Sequence, residues 1–487
     1  MSPCETSRTG AHERLFWMAI GLHGHEKEKG TRMSNDRNAC ARRVGGACGL
    51  ALVLGLGFIL TRPAVSRAAD VAPGTLIGPD TAAQAEGLLP QEFLERYRKG
   101  EWKHPVALPK PGTLLMDPEW LAAGKENVGK FTISDEGSIR DVTTGKQPTF
   151  IWGIPFPNID PKDPKAGYKI AWNFFYQSYI LGDDENLVSL VWVDHGGPGR
   201  QLKTNVIQKF FDGQKPFRLP KENPLNLLFQ QFVQVKFPAD VEGTVSLTWR
   251  YRDTRRDSNW AYVPALRRVR QVSPSNRSDG SFGSDMSQDD GSYFDGKPED
   301  FEWKVVGEGE ELFLFDKGSV VDGVEDIRPL PKGGWRAVYQ DKPHFNFEKP
   351  EFKSDKSLFA WAPVQDRYVL VKRPVWIVEV TPKDRYYLYG KLILRFDKEN
   401  WFGSYNSKYD WQGNVLNSYL PLHGAWFKKG DDYRGYSEGS FTLSQNFKMD
   451  RASASFSYAD DPSIPSDTFI PIAADQFDVN ALAKSGR

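Results

Sequence analysis

The feature that most constrains this chain is a two-residue alternation of apolar and polar side chains that recurs after Leu187, with one strong helix ahead of it. In Val245-Ser-Leu-Thr-Trp-Arg-Tyr251 the alternation puts Val245, Leu247, Trp249 and Tyr251 on one face and Ser246, Thr248 and Arg250 on the other. Residues 386–396 repeat it, with Tyr386, Leu388, Leu392, Leu394 and Phe396 on one side. Near the end Ala452, Ala454, Phe456 and Tyr458 alternate with Ser453, Ser455 and Ser457. Short turns such as Asp397-Lys-Glu-Asn400 and Asp410-Trp-Gln-Gly413 separate the runs, the pattern of an antiparallel meander with one buried face. Aromatic residues make up 13% of the chain, 15 of them Trp, which favours broad half-buried sheet over a helical bundle. The expectation is a mostly β protein in which a curved antiparallel sheet, a half-barrel, wraps over one or more helices.

The strong helix is predicted over residues 164–181, with Asp163 as N-cap, Pro164 in the first turn and Gly182 closing it. Its apolar stripe is Tyr168, Trp172, Phe175 and Tyr179, spaced four, three and four. Such a stripe either plugs a core or lines a cavity beneath the sheet, and periodicity does not separate the two. A shorter amphipathic helix is expected over 90–97. Residues 69–160 are otherwise turn-rich, an arm ahead of the main β domain at 161–487.

Tyr262-Val-Pro-Ala-Leu-Arg-Arg-Val-Arg-Gln-Val272, followed by Ser281-Phe-Gly-Ser-Asp-Met-Ser-Gln-Asp-Asp290, reads as strand, proline break, basic strand and polar loop. This resembles the signature of bacterial outer-membrane lipoprotein-sorting proteins of the LolA/LolB-like superfamily, and most closely the large Gram-negative periplasmic domain-of-unknown-function family 1329. Residues 389–416 resemble the same pattern of strand, Asp turn, Trp, strand and Asp-x-x-Gly turn. The resemblance implies a non-catalytic periplasmic carrier or chaperone that passes a lipid, a lipidated protein or another apolar ligand towards the outer membrane. It also implies an inner-membrane exporter and an outer-membrane acceptor as partners. Tyr168, Trp172, Phe175, Tyr179, Trp249 and Tyr251 are then candidates for the cavity lining, and Arg267, Arg268 and Arg270 for contact with a head group or an acidic partner. Such a carrier needs no cofactor, because burial worth about 25 cal/mol per Å² lets one long acyl chain reach micromolar affinity. The alternatives are a periplasmic hydrolase and a structural envelope protein with a filled core.

Residues 1–68 differ from the rest. From Met33 a basic stretch with Arg37, Arg42 and Arg43 precedes an apolar run from Val44 to Leu60 and a small-residue site at Ser66-Arg-Ala68, the anatomy of a cleaved secretory signal. Export to the periplasm with cleavage near Ala68 is the expectation, leaving no membrane span. Cys4, Cys40 and Cys48 all precede that site, so the exported protein would have neither disulfide nor thiol chemistry. The chain is neutral overall and mildly acidic beyond residue 68, and in the periplasm nucleic acid is no partner.

Three constellations are candidates for chemistry. His195-Gly-Gly-Pro-Gly199 resembles an oxyanion loop and Gly435-Tyr-Ser437-Glu-Gly439 a nucleophile elbow, but no buried strand leads into Ser437 and no histidine follows it. The first is therefore read as a turn. Asp285, Asp289, Asp290 and Asp295 lack the spacing of a calcium loop and read as a solvated loop. His104, His195, His344 and His423 are scattered, so no metal site is expected. Arg250, Arg252, Arg255, Arg256, Arg267, Arg268 and Arg270 crowd one stretch, and pairing with Asp253, Asp257 and the Asp285 loop is the favoured reading. On a strand Arg268 and Arg270 would share one side and Arg267 the other.

Overall fold

The computed structural model describes residues 71–486 except 221, 274–276, 292, 325–326, 338–341, 428–433 and 458–465, and at 217, 425–427 and 434–440 the backbone only. The expected secretory signal, its cleavage site and Tyr458 lie outside the described residues. The main strands are, in order, β1 (Asp184–Asp194), β2 (Gly197–Phe210), β3 (Leu227–Phe237), β4 (Val245–Tyr251), β5 (Ser258–Val263), β6 (Arg268–Val272) and β7 (Phe301–Asp316). They continue with β8 (Tyr368–Pro382), β9 (Lys391–Asp397), β10 (Gly403–Tyr409), β11 (Val415–Phe427), β12 (Arg434–Asn446) and β13 (Arg451–Ser457). The chain is mostly β.

These strands form one sheet in the order β6-β5-β4-β3-β2-β1-β13-β12-β11-β7-β8-β9-β10, and β10 pairs again with β11. Strands β7 to β11 thus close into a ring, while β1 to β6, β12 and β13 continue as an open wing. Pairing along this path is antiparallel apart from one parallel contact, Phe315 on β7 with His423 on β11. Register shifts at Val191/Val193, Lys203/Thr204 and Leu227/Phe229 put extra residues into the wing, the device that bends and twists a ladder. Strand β4 has the bounds the alternation predicts. Strand β9 instead starts at Lys391: Tyr386 and Leu388 are exposed, because Asp384 accepts from the Tyr386 and Tyr387 backbone amides and holds them in a turn.

Three helices matter here: α1 (Gln91–Arg98), α2 (Pro118–Glu126) and α3 (Ala166–Tyr179). Helix α3 starts later than expected because Asp163 Oδ1 accepts from the Lys165 amide at 2.8 Å, which leaves Pro164 in the preceding turn. It is buried nearly all round rather than along one stripe; Ile170, Phe174, Tyr176 and Gln177 are buried as well. The cause is cover on two sides. At Gly167 a Cβ would come within 2.7 Å of the Trp303 backbone, so α3 lies directly on β7. On its other side Asn173 exchanges two hydrogen bonds with the Phe156 backbone, at 2.8 and 3.0 Å. Residues 71–160 therefore share the core: Phe93, Trp102 and Trp120 belong to the same apolar cluster as α3 and the ring.

A second, smaller core covers the other face of the wing. Phe477 and Leu482 pack there against Ile207, Phe232, Val245, Leu247 and Tyr262. Because both faces are covered, an apolar side chain on the wing does not by itself point towards α3.

Candidate functional site

The C-terminal half of α3 faces a cavity of about 330 Å³. Phe174, Phe175, Tyr179 and Leu181 line it from the helix side, and Met286, Gly291 and Phe294 from the loop that follows β6. Phe210 and Phe229 add aromatic wall from β2 and β3. The opposite wall is mixed, with Val188, Val206 and Val233 beside a row of polar side chains. Register places Thr468 opposite Asp184, Asp184 opposite Gln208, Gln208 opposite Gln231 and Gln231 opposite Thr248. Cross-strand partners share a face, so these five residues form one polar row, and the first four line the cavity. Thr442, Ser455 and Ser457 extend the polar lining onto β12 and β13.

Several polar atoms at this cavity are buried and unmatched. Gln177 is 1% exposed, and neither its amide nitrogen nor its amide oxygen has a hydrogen-bond partner. The Tyr179 hydroxyl and Thr468 Oγ1 are likewise without partners. Buried polar atoms are usually satisfied, so three such residues around one space are exceptions that call for an explanation. Asp184 adds a buried carboxyl whose only hydrogen-bonding side chain among the described residues is Asn186, donating at 2.8 Å. Burial, with the Asp183 carboxylate beside it, pushes Asp184 well above the usual carboxylate range.

Of the expected cavity residues, Phe175 and Tyr179 are on this wall and Tyr168 and Trp172 are not. The Tyr168 hydroxyl donates to the Phe301 carbonyl at 2.9 Å and Trp172 Nε1 to the Gly137 carbonyl at 2.8 Å, so that end of the helix is locked into the core. Trp249 and Tyr251 lie on the other face of the wing. Trp249 Nε1 donates to the Phe477 carbonyl at 3.2 Å under the C-terminal cover, and Arg250 takes the inner side. Gln177, Asp184 and the polar row were missed because alternation was read with apolar meaning inward. The available signal was Gln177 itself, an amide one turn after Asn173 in an otherwise aromatic helix.

The arginines and aspartates meet expectation in part: Arg250 pairs with Asp257 and Arg255 with Asp253, whereas the other placements differ. Arg267, Arg268 and Arg270 are exposed, and Arg267 sits in the turn before β6 with φ 49°. The buried clasp is built by others. Arg250, 1% exposed, grips Asp257 through Nη2 at 2.8 Å and Asp295 through Nη1 at 2.8 Å, over the Phe229 ring. Arg277 pairs with Asp289 and with Asp295, the latter at 2.9 Å. Asp285 pairs with Arg451 at 3.1 Å and Asp290 with Lys408. The loop read as solvated is therefore buried and neutralised, because its carboxylates meet cations from distant strands. Among the described residues, no group of three or more His, Cys, Asp or Glu side chains is arranged to hold a metal ion. His195 lies in the β1–β2 hairpin turn, exposed, 2.6 Å from Asp450. Ser437 falls inside β12 opposite Gly424 rather than at a strand-to-helix turn, with its side chain outside the described residues.

Residues 84–434 match the family described as Protein of unknown function (DUF1329). The chain belongs to that family. The match spans both segments that carry the resemblance, Tyr262–Val272 and Ser281–Asp290. A second DUF1329 protein, from Desulfovibrio piger, has a solved structure that is 16% identical, covers 66% of this chain and 99% of its own, and gives a TM-score of 0.41. A domain named for outer membrane lipoprotein sorting, from Vibrio parahaemolyticus, is 15% identical over 66% of this chain and 100% of its own, with a TM-score of 0.42. A LolA superfamily protein from Nitrosomonas europaea is 12% identical over 64% of this chain and 96% of its own, with a TM-score of 0.34. No curated protein matches this DUF1329 chain. No helix among the described residues is long and apolar enough to cross a membrane.

Proposed function

We propose that this DUF1329 protein is a non-catalytic periplasmic carrier that takes an amphiphilic, lipid-bearing ligand into the cavity beneath α3 and hands it on towards the outer membrane. The observation that carries the reading is the buried, unmatched Gln177 amide, set between aromatic side chains and a polar row. Leaving a buried polar group unpaired costs about 1–3 kcal/mol, which a ligand with complementary groups recovers. The aromatic walls add apolar burial at about 25 cal/mol per Å². The cavity volume, about 330 Å³, is at the lower end of the 300–1,000 Å³ usual for small-molecule sites, which fits a single chain with its head group. The secretory pattern in residues 33–68 supports the periplasm as the place of action.

The test is to purify the protein from the periplasm, extract it with organic solvent and examine the extract by mass spectrometry. One amphiphile per chain is the expected result. Trace lipid alone, together with failure to take up added lipid, would overturn the reading.

A further inference from the structure

Resting on the carrier reading, we propose that the head group this cavity selects is cationic: an alkylammonium or other amine-bearing amphiphile, with Asp184 as its counter-charge. Among the described residues, the cavity wall holds two carboxylates, Asp184 and Asp295, and no lysine or arginine. Asp295 is already neutralised by Arg250 and Arg277. No cation among the described residues pairs with Asp184, whose neighbours in sequence, Asp183 and Glu185, are also acidic. Lys209, the nearby base, is engaged by Asp183 at 3.2 Å.

An anionic head group in this space would find no lysine or arginine among the described lining residues to pair with, and no water-like dielectric in which to keep its charge. A cation would meet a carboxylate on a wall that also carries Gln177, Thr468, Tyr179 and Phe175, whose oxygens and rings attract positive charge. Burial makes the empty site costly to ionise. Binding an ammonium therefore displaces the Asp184 proton to solvent and leaves a carboxylate–ammonium pair.

Decylammonium, decanoate and decanol, each below its micelle or solubility limit, would be titrated calorimetrically into delipidated protein at pH 7. Decylammonium should bind at least about tenfold more tightly than decanoate, with decanol between them. Asp184→Asn should remove most of the ammonium's advantage while leaving decanol within about twofold. Replacing an unpaired buried carboxyl by an amide removes a charge without opening a cavity, so the variant is expected to fold; if it did not, the wild-type ammonium-to-carboxylate ratio would still decide. Decanol and decanoate bound with no preference for the ammonium would overturn the cationic assignment alone. Failure of all three to bind would overturn the carrier reading and this one with it.

Discussion

At its first two turns α3 is locked: Tyr168 and Trp172 donate to the Phe301 and Gly137 carbonyls, and Gly167 rests on the Trp303 backbone. Two turns later the same helix, equally buried, ends in an amide and a phenol with no partners beside a 330 Å³ space. Burial is alike at the two ends; satisfaction is not. Packing density alone would classify both as core, whereas hydrogen-bond accounting separates an end that finishes the fold from one that, on the proposed reading, awaits a ligand.

The largest expected effect falls on the locked end. Trp172→Ala removes a buried indole and its hydrogen bond and should cost about 3–5 kcal/mol in urea unfolding. A loss under about 1 kcal/mol would show that the locked end is not locked. The clasp beside the cavity should behave as core too: Arg277→Gln strands Asp289 and weakens the hold on Asp295, for a loss also on the order of 3–5 kcal/mol.

The open end should show its difference through pH. Below the ordinary carboxylate value of 3.8, Asp184 is protonated in both folded and unfolded chains. As pH rises past it the unfolded chain releases the proton and the folded one keeps it, so this group's contribution to stability falls with rising pH until the raised folded value is reached. Asp183 and Glu185 are the acidic groups adjoining it, with Lys209 turned to Asp183. Melting temperatures between pH 4 and 8 should show Asp184→Asn gaining on wild type as pH rises; a constant offset would contradict the assignment. The smallest effect belongs to the exposed edge, where Arg268→Gln with Arg270→Gln should change stability by no more than about 0.5 kcal/mol.

The sheet was legible from alternation because β4 and β13 carry strict period-two patterns, and α3 was legible because aromatic spacing and Gly182 mark it. Direction was not legible. Trp249 obeys the alternation yet faces the C-terminal cover, since residues 472–486 return from far along the chain to bury the outer side. Arg250 and Arg277 look like surface charge in sequence because their partners, Asp257, Asp289 and Asp295, become neighbours only after the loop beyond β6 folds inward. Phe175 and Tyr179 stand out by spacing, whereas Gln177 stands out only as an amide in an aromatic helix, a signal that becomes informative once its partners are known to be missing.

The central claim, that the two ends of one buried helix serve different purposes, is tested most directly by Gln177→Leu. The measurement is its urea-unfolding stability together with the amount of amphiphile retained through purification, each relative to wild type. The account predicts stability equal to or above wild type, because an unsatisfied amide is replaced by an apolar side chain, together with loss of most of the retained ligand. A destabilisation of about 2 kcal/mol or more with ligand retention unchanged would contradict it, and would return the Gln177 end to the core.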